Sequence, residues 1–165
     1  MKIWLIRHAK SDWGEPGLPD FDRPLNKRGR RDGPVMAQWL AKQSDPATWI
    51  WTSTAARALA TAAFVSEGFG LPESQLVGTK ELYHADPETL LDVLRRTPSD
   101  VESVALVAHN PGLTWLGNSF GRERVTVNVP TFGILRFDHP GSWTDLAEGQ
   151  ATLDFFEGPK SLAER

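Results

Sequence analysis

Three stretches carry apolar residues without alternation: Lys2–Ile6 (KIWLI), Trp49–Thr52 (WIWT) and Ser103–Ala108 (SVALVA). Continuous apolar runs of this length read as strands buried on both faces, the pattern of a parallel sheet covered by helices. Two later stretches, Thr131–Asp138 (TFGILRFD) and Gln150–Glu157 (QATLDFFE), have turn glycines Gly141 and Gly149 between them and predict a C-terminal antiparallel pair. Helical patterns fill the intervals. Asn26 is placed to cap a helix running to Lys42, with Val35, Met36, Trp39 and Leu40 as its apolar stripe. Pro34 falls inside it and predicts a kink or a restart. Ser53 or Thr54 is placed to cap AARALATAAFVSEGF, which stops at Gly68 or Gly70. Asp86-Pro87 opens ETLLDVLRR, and Pro111 opens GLTWLGNSF. Strands alternating with helices predict an α/β fold, a three-layer α/β/α sandwich around a mostly parallel sheet.

Bulk properties narrow the possibilities. At 165 residues the chain is predicted to form one domain over positions 1–165, with no linker, repeat or low-complexity tract dividing it. The absence of cysteine excludes disulfides and thiolate metal sites and fits a cytoplasmic setting. No signal-peptide core or membrane-length apolar run is expected. A formal net charge of −3 argues against nucleic acid as a partner.

The candidate chemistry lies where the predicted strands end. The first runs into Arg7-His8, the second into TSTAARALATA, which places Arg57 in a first helical turn, and the third into His109-Asn110-Pro111. In a parallel sheet the carboxyl ends point one way, and ligands bind in the crevice beyond them. If the three strands are neighbours, two guanidiniums and two imidazoles converge with no carboxylate immediately beside them. That is an anion pocket, in which Arg presents donor forks matching phosphate oxygens. A neutral imidazole there is a candidate nucleophile at phosphorus.

With these residues in view, the chain resembles the histidine phosphatase superfamily, also called phosphoglycerate mutase-like. LIRHAKS is similar to its Arg-His-Gly signature with Ala9 in the glycine position. TSTAARALATA is similar to its second arginine motif, LVAHNPGL to its second histidine motif, and KELYH falls where the family carries an acidic residue. The short length and the segments RHAKSDW and DFDRPLNKRGRRD resemble the small bacterial phosphohistidine phosphatases most. The resemblance implies that His8 is the nucleophile, that Arg7 and Arg57 clamp the phosphoryl oxygens, that His109 donates to the same group, and that Glu81 is the proton donor. It implies no metal and no other cofactor. Ser11 and Lys10 are further candidates to touch phosphate.

The sequence also departs from the pattern. Lys10 replaces a frequent Glu, and Gly14 a frequent Asn. The long insertions that deepen a mutase site have no room, so an open site for a phosphate displayed on a protein is expected. A phosphohistidine leaves as imidazole, whose conjugate acid has a pKa of about 6.5, so it needs less protonation than an alkoxide. Glu81→Gln is therefore expected to harm phosphomonoester hydrolysis more than phosphohistidine hydrolysis. The predicted partner is a phosphorylated protein or, alternatively, a small phosphorylated metabolite; the oligomeric state is left open. Two readings from other classes stand beside these: a phosphate-recognition module without turnover, and a metal site on His8, His109 and Glu81. In the basic run, Arg23, Lys27 and Arg28 are candidates to lie near the pocket. His84 and His139 read as surface or turn residues, with His84 within reach of the rim. Trp4, Trp39 and Trp51 read as packing, and Trp13 as a possible wall of the pocket.

Overall fold

The computed structural model covers Met1–Arg165. In chain order the elements are β1 (Lys2–Arg7), α1 (Lys27–Leu40), β2 (Trp49–Thr52), α2 (Ala56–Phe69), β3 (Leu76–Gly78), α3 (Pro87–Arg95), β4 (Ser103–Ala108), α4 (Gly112–Phe120), β5 (Ile134–Asp138), β6 (Thr152–Glu157) and α5 (Pro159–Ala163). Short 3₁₀ turns at Asp20–Asp22 and Lys80–Leu82 lie in the connections. The six strands form one sheet in the order β3-β2-β4-β1-β5-β6. β1, β2, β3 and β4 are mutually parallel, whereas β5 runs antiparallel to β1 and β6 antiparallel to β5.

The missing alternation in the central strands has a direct cause. Ile3, Leu5, Val104 and Leu106 face one side and pack with Leu90, Leu94, Leu113 and Leu116 of α3 and α4. Trp4, Ile6, Ala105 and Val107 face the other side and pack with Met36, Leu40, Ala58, Ala62 and Val65 of α1 and α2. Both faces of β1 and β4 are thus removed from water, and the expected three-layer arrangement is present.

Local signals behave unevenly. Asn26 caps α1 by accepting from the Gly29 amide at 2.9 Å, and Asp86 caps α3 by accepting from Thr89 at 2.8 Å. Gly70 ends α2 in the left-handed conformation, φ 68°. Three expectations fail. α1 runs unbroken through Pro34, which is exposed. Val35 is not part of the buried stripe but 50% exposed; Met36, Ala37 and Leu40 form that face, together with Gly29, Asp32 and Gly33. Neither Ser53 nor Thr54 caps α2, because the cap position falls on Ala55, and Ser53 is committed elsewhere. The short edge strand β3 was not anticipated: LVG is too brief to show a period.

Candidate active site

The adjacency β2-β4-β1 brings the three strand exits together. Arg7 is the last residue of β1 and pairs in register with Ala108, so His8 and His109 leave neighbouring strands side by side. Their rings lie 5.1 Å apart between centroids. Arg57 sits in the first turn of α2, just beyond β2, and is 2% exposed. A short relay locks the first and second exits to each other: the Ala9 amide donates to Thr61 Oγ1 at 2.8 Å, and that hydroxyl donates to the Arg57 carbonyl at 2.8 Å. On the far side, Arg7 Nη1 donates to the Val129 carbonyl at 2.9 Å. The side chain of Asn110 donates to the same carbonyl at 3.0 Å.

These contacts fix the chemistry of His8. Its Nδ1 is 2.7 Å from the Ala9 carbonyl, an atom that can only accept. Nδ1 therefore carries the hydrogen, and in the neutral ring the lone pair is on Nε2. Burial pushes the His8 pKa down to about 3; the Ala9 bond works against this, and Arg57, Arg7 and Arg23 add to it. At neutral pH His8 is an uncharged imidazole with a free Nε2, the state a nucleophile requires. His109 is lowered to about 2, by burial first and then by His8, Arg57 and His84. Its Nε2 lies 2.8 Å from Ser53 Oγ, which also accepts from the Ala55 amide at 3.3 Å. Arg7 is also lowered, by burial and by the neighbouring Arg57. Three buried nitrogens of these side chains, Arg7 Nε, Arg57 Nε and His109 Nδ1, have no hydrogen-bond partner. Unsatisfied buried polar atoms are uncommon; two others, Trp49 Nε1 and His139 Nδ1, lie away from the cluster, and the remaining three gather on it.

One residue of the site escaped the sequence reading. Asp20, on the 3₁₀ turn Asp20–Asp22, places a carboxylate directly on the cationic cluster. Arg57 Nη2 donates to it at 2.9 Å and Arg23 Nε at 3.0 Å; the Tyr83 hydroxyl donates to it as well, and His84 Nε2 lies 3.0 Å away. Arg57 Nη1 also donates to the Asp20 carbonyl at 2.6 Å. Partial burial would raise the Asp20 pKa, but the bonds from Tyr83, His84, Arg57 and Arg23 hold it far below the usual carboxylate range. The expectation of a pocket without an adjacent carboxylate is therefore corrected. Asp20 lies in the stretch PGLPDFD, which has no periodicity to expose its orientation.

The other candidates divide. Of the basic run, Arg23 reaches the site: its Nη1 donates to the buried Ser11 hydroxyl at 2.7 Å, and its guanidinium stacks 3.5 Å above the ring of the exposed Trp13. Lys27 and Arg28 are exposed on α1, and Arg28 lies 3.8 Å from Asp32. Ser11 thus touches the cluster through Arg23. The Lys10 side chain makes no hydrogen bond, and its carbonyl accepts from the Asn26 amide at 3.0 Å. Glu81, 53% exposed, pairs with Arg96 at 3.0 Å and accepts from Thr79 at 3.3 Å. His8, His109 and Glu81 do not come together as a metal-ligand set. His84, read as a rim or turn residue, is half exposed with its ring 5.3 Å from His109. His139 is not a surface residue but fully buried beyond the end of β5. It lines a cavity of about 1020 Å³ with Arg122 and Arg124, at the end of the sheet opposite His8.

Comparison with known proteins agrees with this geometry. The sequence profile of the histidine phosphatase superfamily (branch 1) matches residues 3–120. An uncharacterized protein of Mycobacterium tuberculosis is 30% identical over 164 residues, covering 94% of this chain and all of the relative. Among solved structures, a protein assigned as the phosphohistidine phosphatase SixA of Agrobacterium tumefaciens superposes with a TM-score of 0.81 at 29% identity, covering 96% of this chain and 97% of the other. A protein likewise assigned as SixA from Nakamurella multipartitia gives a TM-score of 0.82 at 25% identity, covering 96% and 95%. The protein histidine phosphatase SixA complexed with tungstate shares the fold, with a TM-score of 0.80 at 23% identity and coverage of 98% and 99%. The fold is phosphoglycerate mutase-like.

Proposed function

Because the chain belongs to the histidine phosphatase superfamily, branch 1, and is a metal-independent phosphatase of that family, we propose that it hydrolyses phosphohistidine displayed on a protein, through a covalent phosphohistidine on His8. The observation that carries the mechanism is the neutral His8 ring, fixed by the Ala9 carbonyl with Nε2 free, beside two buried guanidiniums. In this reading Nε2 attacks phosphorus as the bond to the leaving group breaks. Arg7, Arg57 and His109 stabilise the charge spread over the transferring oxygens. Water then attacks phosphorus, the bond to Nε2 breaks, and phosphate departs. Arg23 and Ser11 support the clamp, and Lys10 lies in the same loop. The family pattern points to Glu81 for the proton donor, but its carboxylate is engaged by Arg96 and Thr79 and would have to leave both to serve.

A phosphoprotein substrate is supported by the openness of the approach. Trp13 is exposed at one rim and His84 at another, with Asp20 partly exposed between them. The two similar structures of at least 25% identity carry the phosphohistidine phosphatase assignment. The test is phosphate release, in chelator, from a phosphohistidine-bearing protein and from p-nitrophenyl phosphate, by wild type and His8→Ala. Release from the phosphoprotein that His8→Ala abolishes is the expected result. Release from the small ester alone would move the substrate class to metabolites, and binding without release would leave a recognition module.

A further inference from the structure

In the catalytic cycle read above, two steps move a proton: one goes onto the leaving group, and one comes off the attacking water. In-line displacement places the leaving group opposite His8, on the side of the phosphoryl group that faces the mouth of the site. On the exposed side of the His8–His109 pair the structure brings a third imidazole. The rings of His8, His109 and His84 follow one another at centroid spacings of 5.1 Å and 5.3 Å, passing from a buried ring through a buried ring to a half-exposed one.

His84 is held in place from several directions. Its Nε2 lies 3.0 Å from the Asp20 carboxylate, and its ring lies 4.1 Å from that of Tyr83. Tyr83 donates to the same carboxylate, whose remaining bonds come from Arg57 and Arg23. The backbone at His84 has φ 51°, a left-handed conformation that a side chain other than glycine seldom adopts. Such outliers persist where the surroundings enforce them, and they gather at functional sites. Asp20 accepts at Nε2, so the other ring nitrogen is the one free to exchange a proton, the arrangement of a carboxylate-oriented histidine in acid–base catalysis.

We propose that His84, oriented by Asp20, is the general acid and base of this phosphatase. The proposal rests on the phosphatase reading and deepens it. In the first step the bond from phosphorus to the leaving atom breaks as Nε2 of His8 bonds to phosphorus, and His84 passes its proton to the leaving atom. In the second step His84 takes a proton from water as the water oxygen bonds to phosphorus and the bond to His8 breaks. One proton is given and one recovered per turnover. The charged and titratable groups facing His84 are Asp20, Tyr83 and His109, with Arg57 and Arg23 one bond further away through Asp20. Asp20 acts through His84 and through Arg57, and is a positioning residue.

The test uses His84→Gly, since glycine suits φ 51° and the position is half exposed. Phenyl phosphate, whose leaving group has a pKa of about 10 like tyrosine, is compared with p-nitrophenyl phosphate, which has a better leaving group. A lost general acid costs on the order of 10²-fold or more in kcat/KM with the poor leaving group, and less with the better one. Exogenous imidazole is expected to restore part of the phenyl phosphate rate, and Asp20→Asn, which removes the carboxylate facing His84 Nε2, to lower turnover of phenyl phosphate more than of p-nitrophenyl phosphate. His8→Ala, run alongside, reports on the phosphatase reading separately. Equal losses on both esters in His84→Gly would overturn the assignment. So would a leaving-group-dependent loss that appears in Glu81→Gln and not in His84→Gly, which would return the role to Glu81.

Discussion

Holding two uncharged imidazoles inside a cationic pocket makes stability depend on pH, and the size of the effect follows from the site. In the folded chain His8 titrates at about 3 and His109 at about 2, so at pH 5 neither ring takes up a proton. In the unfolded chain both titrate near 6.5 and are mostly charged at pH 5. The unfolded state therefore binds more protons, and stability falls with acidification. The contribution is whole above about pH 6.5 and is lost progressively as pH drops toward the folded values. At pH 5, about 1.5 pH units below the unfolded value, each ring costs about 2 kcal/mol at about 1.36 kcal/mol per unit. That figure is insensitive to the folded pKa as long as it stays well under 5. The assay is urea unfolding at pH 7 and pH 5, in buffers free of phosphate and sulfate, because a bound anion would stabilise the folded state on its own account. The comparison is between wild type and His8→Ala, so that titrating carboxylates common to both cancel. The variant is expected to lose about 2 kcal/mol less than wild type over that interval. An identical loss in both proteins would mean that His8 takes up its proton at pH 5 in the folded state as readily as in the unfolded one, and the neutrality imposed by burial would fail.

Two further outcomes follow from close contacts. Arg57→Lys keeps the charge but loses the paired donors on Asp20, and kcat should fall by on the order of 10²-fold, read by steady-state phosphate release; a loss under threefold would show that charge alone suffices. Gly112→Ala brings a methyl group to 2.0 Å from the Ala85 carbonyl, and should cost about 1–3 kcal/mol in urea unfolding. Because Ala85 follows His84, the same variant should also reduce activity on phenyl phosphate.

The parts of the site that announce themselves in the sequence are those attached to periodic elements. Arg7, His8 and His109 stand at the ends of apolar runs, and Arg57 stands at the start of a helix, so their convergence follows from the order of parallel strands. Asp20 and His84 are attached to nothing periodic. Each is on an irregular connection, and they meet through a contact 64 residues apart in sequence. A loop position carries no register from which direction can be inferred. The same limit explains the edge strand β3, whose three residues gain strand geometry only by pairing with β2. Ser53 shows the opposite failure: its hydroxyl accepts from the Ala55 amide and contacts His109, just beyond β4, but the helix begins at Ala56, past its capping reach.

The strand order carries a consequence for how the site comes into being. β1 holds His8, the proposed nucleophile, at its exit, and it lies between β4 and β5. Its pairing partners begin at Ser103 and Ile134, so the strand made first during synthesis waits for most of the chain before it is flanked. Contacts so distant along the chain carry a loop-closure cost that slows folding. His8 therefore emerges from the ribosome long before its neighbouring strands, and the His109 exit with them, are made. A nascent chain that stops short of β4 displays His8 without the buried His109, so the proposed chemistry has to wait until the centre of the sheet closes.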